Sequence, residues 1–162
     1  DENQGNQSDF AYSFDMAREA GLRLTTHAGE WRGPNEVRDA VQDLGVERVG
    51  HGVRAVEDPA LLDELAEKGI VLEVCPGSNV VLGVYSDWAS HPIDTLRRAG
   101  VPVSISTDDP PFFHTTMRDE YRNLANAFGW DEGVFKEIAR ASAKAAFCDE
   151  DTRTEILKRL EA

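Results

Sequence analysis

The sequence predicts an α/β protein built on a parallel sheet, and three observations carry that expectation. Helical and strand-like hydrophobic patterns alternate in order from Phe10 to Ser106. The connections between them are short, so successive strands run the same way after each helical crossover. The uncommon polar residues stand where the strand patterns stop: His27 and Glu30, His51, Ser78 and Asn79, Asp108 and Asp109.

Phe10, Phe14, Ala17, Arg18 and Ala20 suit a helix closed by Gly21, and LRLTT then reads as a short strand ending at His27. PNEVRDAVQDLG is a helix with Pro34 in its first turn and Gly45 past its end, followed by the strand VERVG, which runs into His51. DPALLDELAEKG is the next helix, and IVLEV is a strand leading to Cys75 and Pro76. HPIDTLRRAG is a helix, and VPVSIS is a strand leading to Thr107, Asp108 and Asp109. Beyond these only helical patterns remain, around 114–128, 131–147 and 150–160. Parallel strands bring their C-terminal ends to one face, so residues scattered from 27 to 109 can meet in a single site.

The length of 162 residues suits one domain, read as 1–162. A net charge of -13 repels phosphate backbones and anionic membrane faces, so neither nucleic acid nor membrane is expected as a partner. No apolar run approaches the ~20 residues of a membrane helix. Cys75 and Cys148 are far apart and in no CxxC spacing, which fits a reducing cytoplasm. The chain opens DENQGNQSDF, without an initiator Met, and reads as the middle of something longer.

Each polar residue has a structural use as well as a chemical one. His27 and His51 could be core histidines bonded to backbone. Asp108 and Asp109 could cap the helix after Pro110 and Pro111, Glu30 could be solvated, and His91 and His114 could cap or pack at helix starts. Cys75 reads as a small buried hydrophobe, since CPGSN supplies no base. Two Asp, two His and a Glu on one face are harder to explain as independent caps. Together they offer a zinc-compatible set, with His27, Asp108 and His51 as candidate ligands. Zinc-bound water ionises near pH ~7, which leaves Glu30 as a proton donor. Spacing leaves open which histidine binds metal and which orients the water.

HAGE at 27–30, RVGHG at 48–52, LEVCPGSN at 72–79, HPI at 91–93 and STDDPPFF at 106–113 resemble the ordered motifs of the adenosine/adenine deaminase family. The resemblance covers almost the whole chain. It implies a (β/α)8 barrel of the amidohydrolase type, one Zn2+ ion, and hydrolytic replacement of the 6-amino group of a purine by oxygen. On that pattern His27 and Asp108 are metal ligands, and Glu30 protonates ring N1. His51 orients or deprotonates the water, Asp109 accepts a hydrogen bond from the purine, and Gly29 approaches the base by its backbone. The H-x-E and P-C-x-x-C signature of cytidine-type zinc deaminases is absent from the sequence.

The family's first two ligands form a His-x-His pair, which does not occur in this sequence. Four strand patterns are half of the eight a closed barrel needs. The chain therefore reads as the C-terminal half of a deaminase barrel, and the resemblance implies that Asp1 and Glu2 are the end of a GDE turn after the fourth strand. Such a half is expected to be inactive alone and to self-associate through the open edges of LRLTT and VPVSIS. TDDPPFF points to adenosine as substrate. The alternatives are adenine, a cyclic amide for another zinc hydrolase of this barrel type, or a non-catalytic half-barrel scaffold.

Overall fold

Four short segments of alternating or continuous apolar residues pair in sequence order, β1 (Thr25–Ala28), β2 (Arg48–His51), β3 (Val71–Val74) and β4 (Val103–Ile105), into one parallel sheet. The computed structural model describes residues 2 and 4–161; the reading of Asp1 as part of a turn lies outside them. The register sets Thr25 beside Arg48, His27 beside Gly50, Gly50 beside Glu73 and Val74 beside Ile105. All four strands therefore end at one pole. As expected for a half-barrel, the sheet stays open, with β1 and β4 each paired on one side only among the described residues.

The period of two divides the sheet into two faces. Val49, Leu72, Val74, Val103 and Ile105 are buried in the core. The opposite face holds Thr25, Arg48, Glu73 and Ser104, where the Thr25 hydroxyl donates to Glu73 at 2.9 Å and Arg48 pairs with Glu73 at 3.2 Å. The core is closed by helices α1 (Ala11–Glu19), α2 (Pro34–Gln42), α3 (Pro59–Lys68) and α5 (Ile93–Arg98), in the alternation the hydrophobic pattern predicts, and by Leu124, Trp130 and Ile138 from the helical segments that follow the sheet. In α3, Pro59 occupies the first turn and the Asp58 carboxylate accepts from the Ala60 and Leu61 amides, which fixes the helix start.

Three differences from the sequence reading have local causes. Leu22 is 63% exposed, so the first strand begins at Thr25, where Arg48 becomes available to pair, and not at Leu22. A helix α4 (Pro76–Val81) starts directly after Cys75, and a single turn α6 (Pro110–Phe113) follows Asp109. His114 closes α6 in a left-handed conformation and does not open the next helix; Thr116 caps α7 (Met117–Phe128). Helices α8 (Glu132–Ala145) and α9 (Glu150–Glu161) follow. None of the described helices is long and apolar enough to cross a membrane.

Candidate active site

The loop leaving β1 is held by one carboxylate. Glu2 accepts the backbone N–H groups of Gly29 (2.9 Å), Glu30 (3.2 Å), Trp31 (3.3 Å) and Arg32 (2.9 Å), gathering a nest of donors that no helix or strand satisfies. Gly29 has φ +69°, and a Cβ there would lie 2.3 Å from Val37 Cγ2. Its N–H goes to Glu2 and its carbonyl accepts from Arg54 at 2.9 Å. The need for glycine at this position thus comes from its positive φ and from Val37, and both of its backbone polar groups are bonded within the protein.

This loop turns Glu30 inward. The residue is only 8% exposed, contrary to a solvated reading. Burial, and then the charges of Asp108 and Glu2, push its carboxyl up to about 7, against the hydrogen bond from Asn79. Asn79 Nδ2 donates to Glu30 Oε1 at 2.9 Å, and His51 Nδ1 lies 3.5 Å from the same oxygen. Asn79 Oδ1 faces His91 Nε2 at 3.2 Å. His91 stands before α5 as a helix-start residue, and its Nδ1 accepts from the Ile93 amide at 3.2 Å. Burial holds its pKa down at about 3, so the ring is neutral.

His51 departs from strand geometry. By alternation it belongs with Val49 on the helix-packed face, but its φ of +61° breaks the pattern, and its ring lies 5.1 Å from the ring of His27. Gly50, beside His27 in the register, leaves room for that ring: a Cβ there would stand 3.2 Å from His27 Nδ1. Burial and then the neighbouring His27 lower the pKa of His51, keeping it neutral. Asp108 is the second strained residue, with φ +57°. Left-handed backbone at such residues costs of order 1–3 kcal/mol each and concentrates at working sites. The Asp108 carboxylate accepts from Ser78 Oγ at 2.8 Å and lies 3.8 Å from His51 Nε2. Asp109, at the N-cap position of α6, makes no capping bond with its side chain and is exposed.

The structure therefore brings His27, Glu30, His51 and Asp108 to one pole, with Ser78 and Asn79 beneath them and Asp109 at the rim. Among the described residues, the ion-pair contacts of Glu30 and Asp108 are with His51 alone, a neutral ring. Two acidic side chains, imidazole nitrogens and no side-chain cation paired to either acid suit a divalent metal of the zinc type. His51, Cys75 and Asp108 also place donor atoms within 4.8 Å of one another, but burial drives the Cys75 thiol up to about 12, so it is a protonated, packed side chain.

Glu120 had no signal in the sequence. It reads as an ordinary helix-surface acid, yet it is fully buried, accepting the Gly77 amide at 2.9 Å and the Thr115 hydroxyl at 2.7 Å. A side chain on Gly77 would collide with it, so this pair sets the start of α4 and hence the positions of Ser78 and Asn79.

Four parallel strands with their chemistry at the C-terminal pole define half of a barrel of the metal-dependent amidohydrolase class. The chain belongs to the adenosine deaminase family, whose profile matches residues 1–162. It is 52% identical over 160 residues to adenine deaminases of Rhizobium leguminosarum bv. trifolii and of Agrobacterium fabrum, covering 99% of this chain and 50% and 49% of theirs. The crystal structure of an Arthrobacter aurescens adenine deaminase superposes with a TM-score of 0.95 at 29% identity, over 99% of this chain and 49% of that one. A Burkholderia ambifaria amidohydrolase with bound Zn gives 0.90 at 28% identity, over 99% and 46%. The chain spans about half the length of the curated relatives it matches.

Proposed function

We propose that the protein hydrolytically deaminates a 6-aminopurine, and that its substrate is adenine, yielding hypoxanthine and ammonia. The observation that carries this reading is Glu30, a buried acid with a pKa raised to about 7, set beside neutral His51 and strained Asp108. A scaffold has no use for such a group, because the same position filled by an apolar residue would be more stable. The expectation of adenosine rested on TDDPPFF alone; relatives at half identity bearing the name adenine deaminase favour the free base.

Zn2+, held by His27 and Asp108 together with two further protein ligands, would supply a nucleophile by lowering the pKa of bound water toward ~7. The other steps belong to this chain's residues. His51, neutral because it is buried, orients the attacking water and takes a proton at Nε2, the nitrogen that faces Asp108. Glu30, protonated near neutrality, delivers its proton to ring N1, so that the ring can accept electron density as C6 is attacked. Asp109 accepts a hydrogen bond from a purine N–H. Glu30 and His27 line a cavity of about 640 Å³ together with Phe10, Phe14 and Trp31, alongside the edge strand β1; His51, Asp108 and Asp109 are not in its lining.

Because His27 and Asp108 are two of the four protein ligands this reading requires, the 162 residues by themselves should bind zinc weakly and turn over nothing. The open edges of β1 and β4 should make that stretch self-associate. The two free cysteines suit a reducing compartment such as the cytoplasm. Ammonia release from adenine, adenosine and N6-methyl-AMP, measured with protein expressed from its complete reading frame, tests the substrate. Adenine is expected to lead by at least about 100-fold in kcat/KM, since ribose must otherwise be accommodated. Equal or better turnover of adenosine would replace adenine as the substrate.

A further inference from the structure

We propose that Asn79 and His91 are positioning residues that determine which oxygen of Glu30 carries its proton; this rests on the reading of Glu30 as the proton donor. The constraint originates at the far end of the chain of bonds. The Ile93 backbone N–H can only donate, so His91 Nδ1, 3.2 Å away, must accept. A neutral imidazole accepting at Nδ1 carries its proton on Nε2. That proton points at Asn79 across 3.2 Å, which requires the amide oxygen Oδ1 on this side. The amide NH2 is thereby turned toward Glu30 Oε1, 2.9 Å away. The orientation is therefore imposed by a backbone amide further along the chain and is not free to flip.

Surroundings keep the relay in place. Asn79 is fully buried and His91 is 2% exposed, and the Tyr85 ring packs edge-on against His91 with centroids 5.0 Å apart. At that depth, losing one partner leaves another polar group unpaired at high cost. At the near end of the relay, Oε1 receives the Asn79 amide, and His51 Nδ1 stands 3.5 Å from the same atom. A carbonyl oxygen accepts hydrogen bonds better than a hydroxyl oxygen does, so the neutral acid adopts the form with Oε1 as carbonyl and Oε2 as hydroxyl. Asn79 thus reserves Oε2 for delivery to the ring. Without it, only the more distant His51 Nδ1 still marks Oε1, so the preference for Oε2 as the hydroxyl weakens, while the surfaces that bind substrate remain unchanged.

The experiment uses the metal-loaded protein from its complete reading frame, with adenine as substrate. Wild type and Glu30→Gln are assayed first: absence of adenine deamination by wild type overturns the functional reading itself and leaves nothing for the relay to position. With wild type active, Asn79→Asp, which keeps the shape but replaces the donor with an acceptor, should lower kcat by about 10- to 100-fold with KM within about 3-fold. His91→Phe should do the same, and His91→Gln, whose amide can donate to Oδ1, should recover most of the loss. The double variant Asn79→Asp/His91→Phe should be no slower than Asn79→Asp, because His91 acts only through Asn79. If Asn79→Asp does not fold, Asn79→Ala takes its place with the same required split. Losses confined to KM, losses that multiply in the double variant, or His91→Gln no better than His91→Phe would overturn the assignment.

Discussion

Replacing Glu30 by Gln should stabilise the protein, and by an amount that depends on pH. In the folded chain burial, reinforced by the Asp108 and Glu2 charges, raises the Glu30 pKa from 4.5 to about 7. The native state therefore binds this proton more tightly than the unfolded state does. Stability associated with it is fully present below pH 4.5 and is lost as pH rises toward 7, where the folded carboxyl finally ionises. Ionising the group inside the fold costs roughly 3 kcal/mol, reached at about pH 8 and only about half developed at pH 5.5. The substituted glutamine does not titrate, and its side-chain oxygen can still accept from the Asn79 amide, which is 2.9 Å from Glu30 Oε1 in the native site. The difference in unfolding free energy between Glu30→Gln and wild type should grow by about 2 kcal/mol between pH 5.5 and pH 8. Urea unfolding of both proteins, expressed from the complete reading frame and kept with a chelator so that no bound cation offsets the charge, measures it. A difference that stays flat within about 0.5 kcal/mol over that range would refute the claim that Glu30 is held in a desolvating, negatively charged site.

The same Glu30→Gln protein, metal-loaded, should lose about 100-fold or more of its turnover of adenine while still binding it. Near-normal turnover would remove Glu30 from the chemistry. Asp108→Ala should lower the metal content found by elemental analysis, whereas Asp109→Ala should raise KM with metal retained; the reverse pattern would mean the pair's roles are exchanged. Gly29→Ala, which must fit a methyl group 2.3 Å from Val37 Cγ2 at φ +69°, should lower thermal stability by roughly 1–3 kcal/mol. An unchanged melting temperature would show that this loop yields easily. Glu2→Gln should speed hydrogen exchange at the amides of residues 29–32, since a carboxylate that accepts from all four is replaced by a weaker acceptor.

The order of helices and strands was legible because hydrophobic period is local: IVLEV and DPALLDELAEKG announce a buried strand and an amphipathic helix without reference to anything distant. The placement of His27, Glu30, His51 and Asp108 at a common pole was legible for a related reason, since parallel strands have only one end at which such residues can gather. What tertiary structure alone decided is whatever depends on partners remote in the chain. The strand after α1 starts at Thr25 because Arg48 pairs there, although LRLTT reads evenly as a strand. Glu120 looks like any exposed helical acid until α7 sets it against the Gly77 amide, 43 residues away in sequence. Glu30 reads as solvated until Glu2, 28 residues earlier, folds its loop inward and Asn79, 49 residues later, closes over it. Burial and the field of neighbouring charges are properties of assembled surroundings, so the sequence names the acid, whereas only the packed fold raises its pKa.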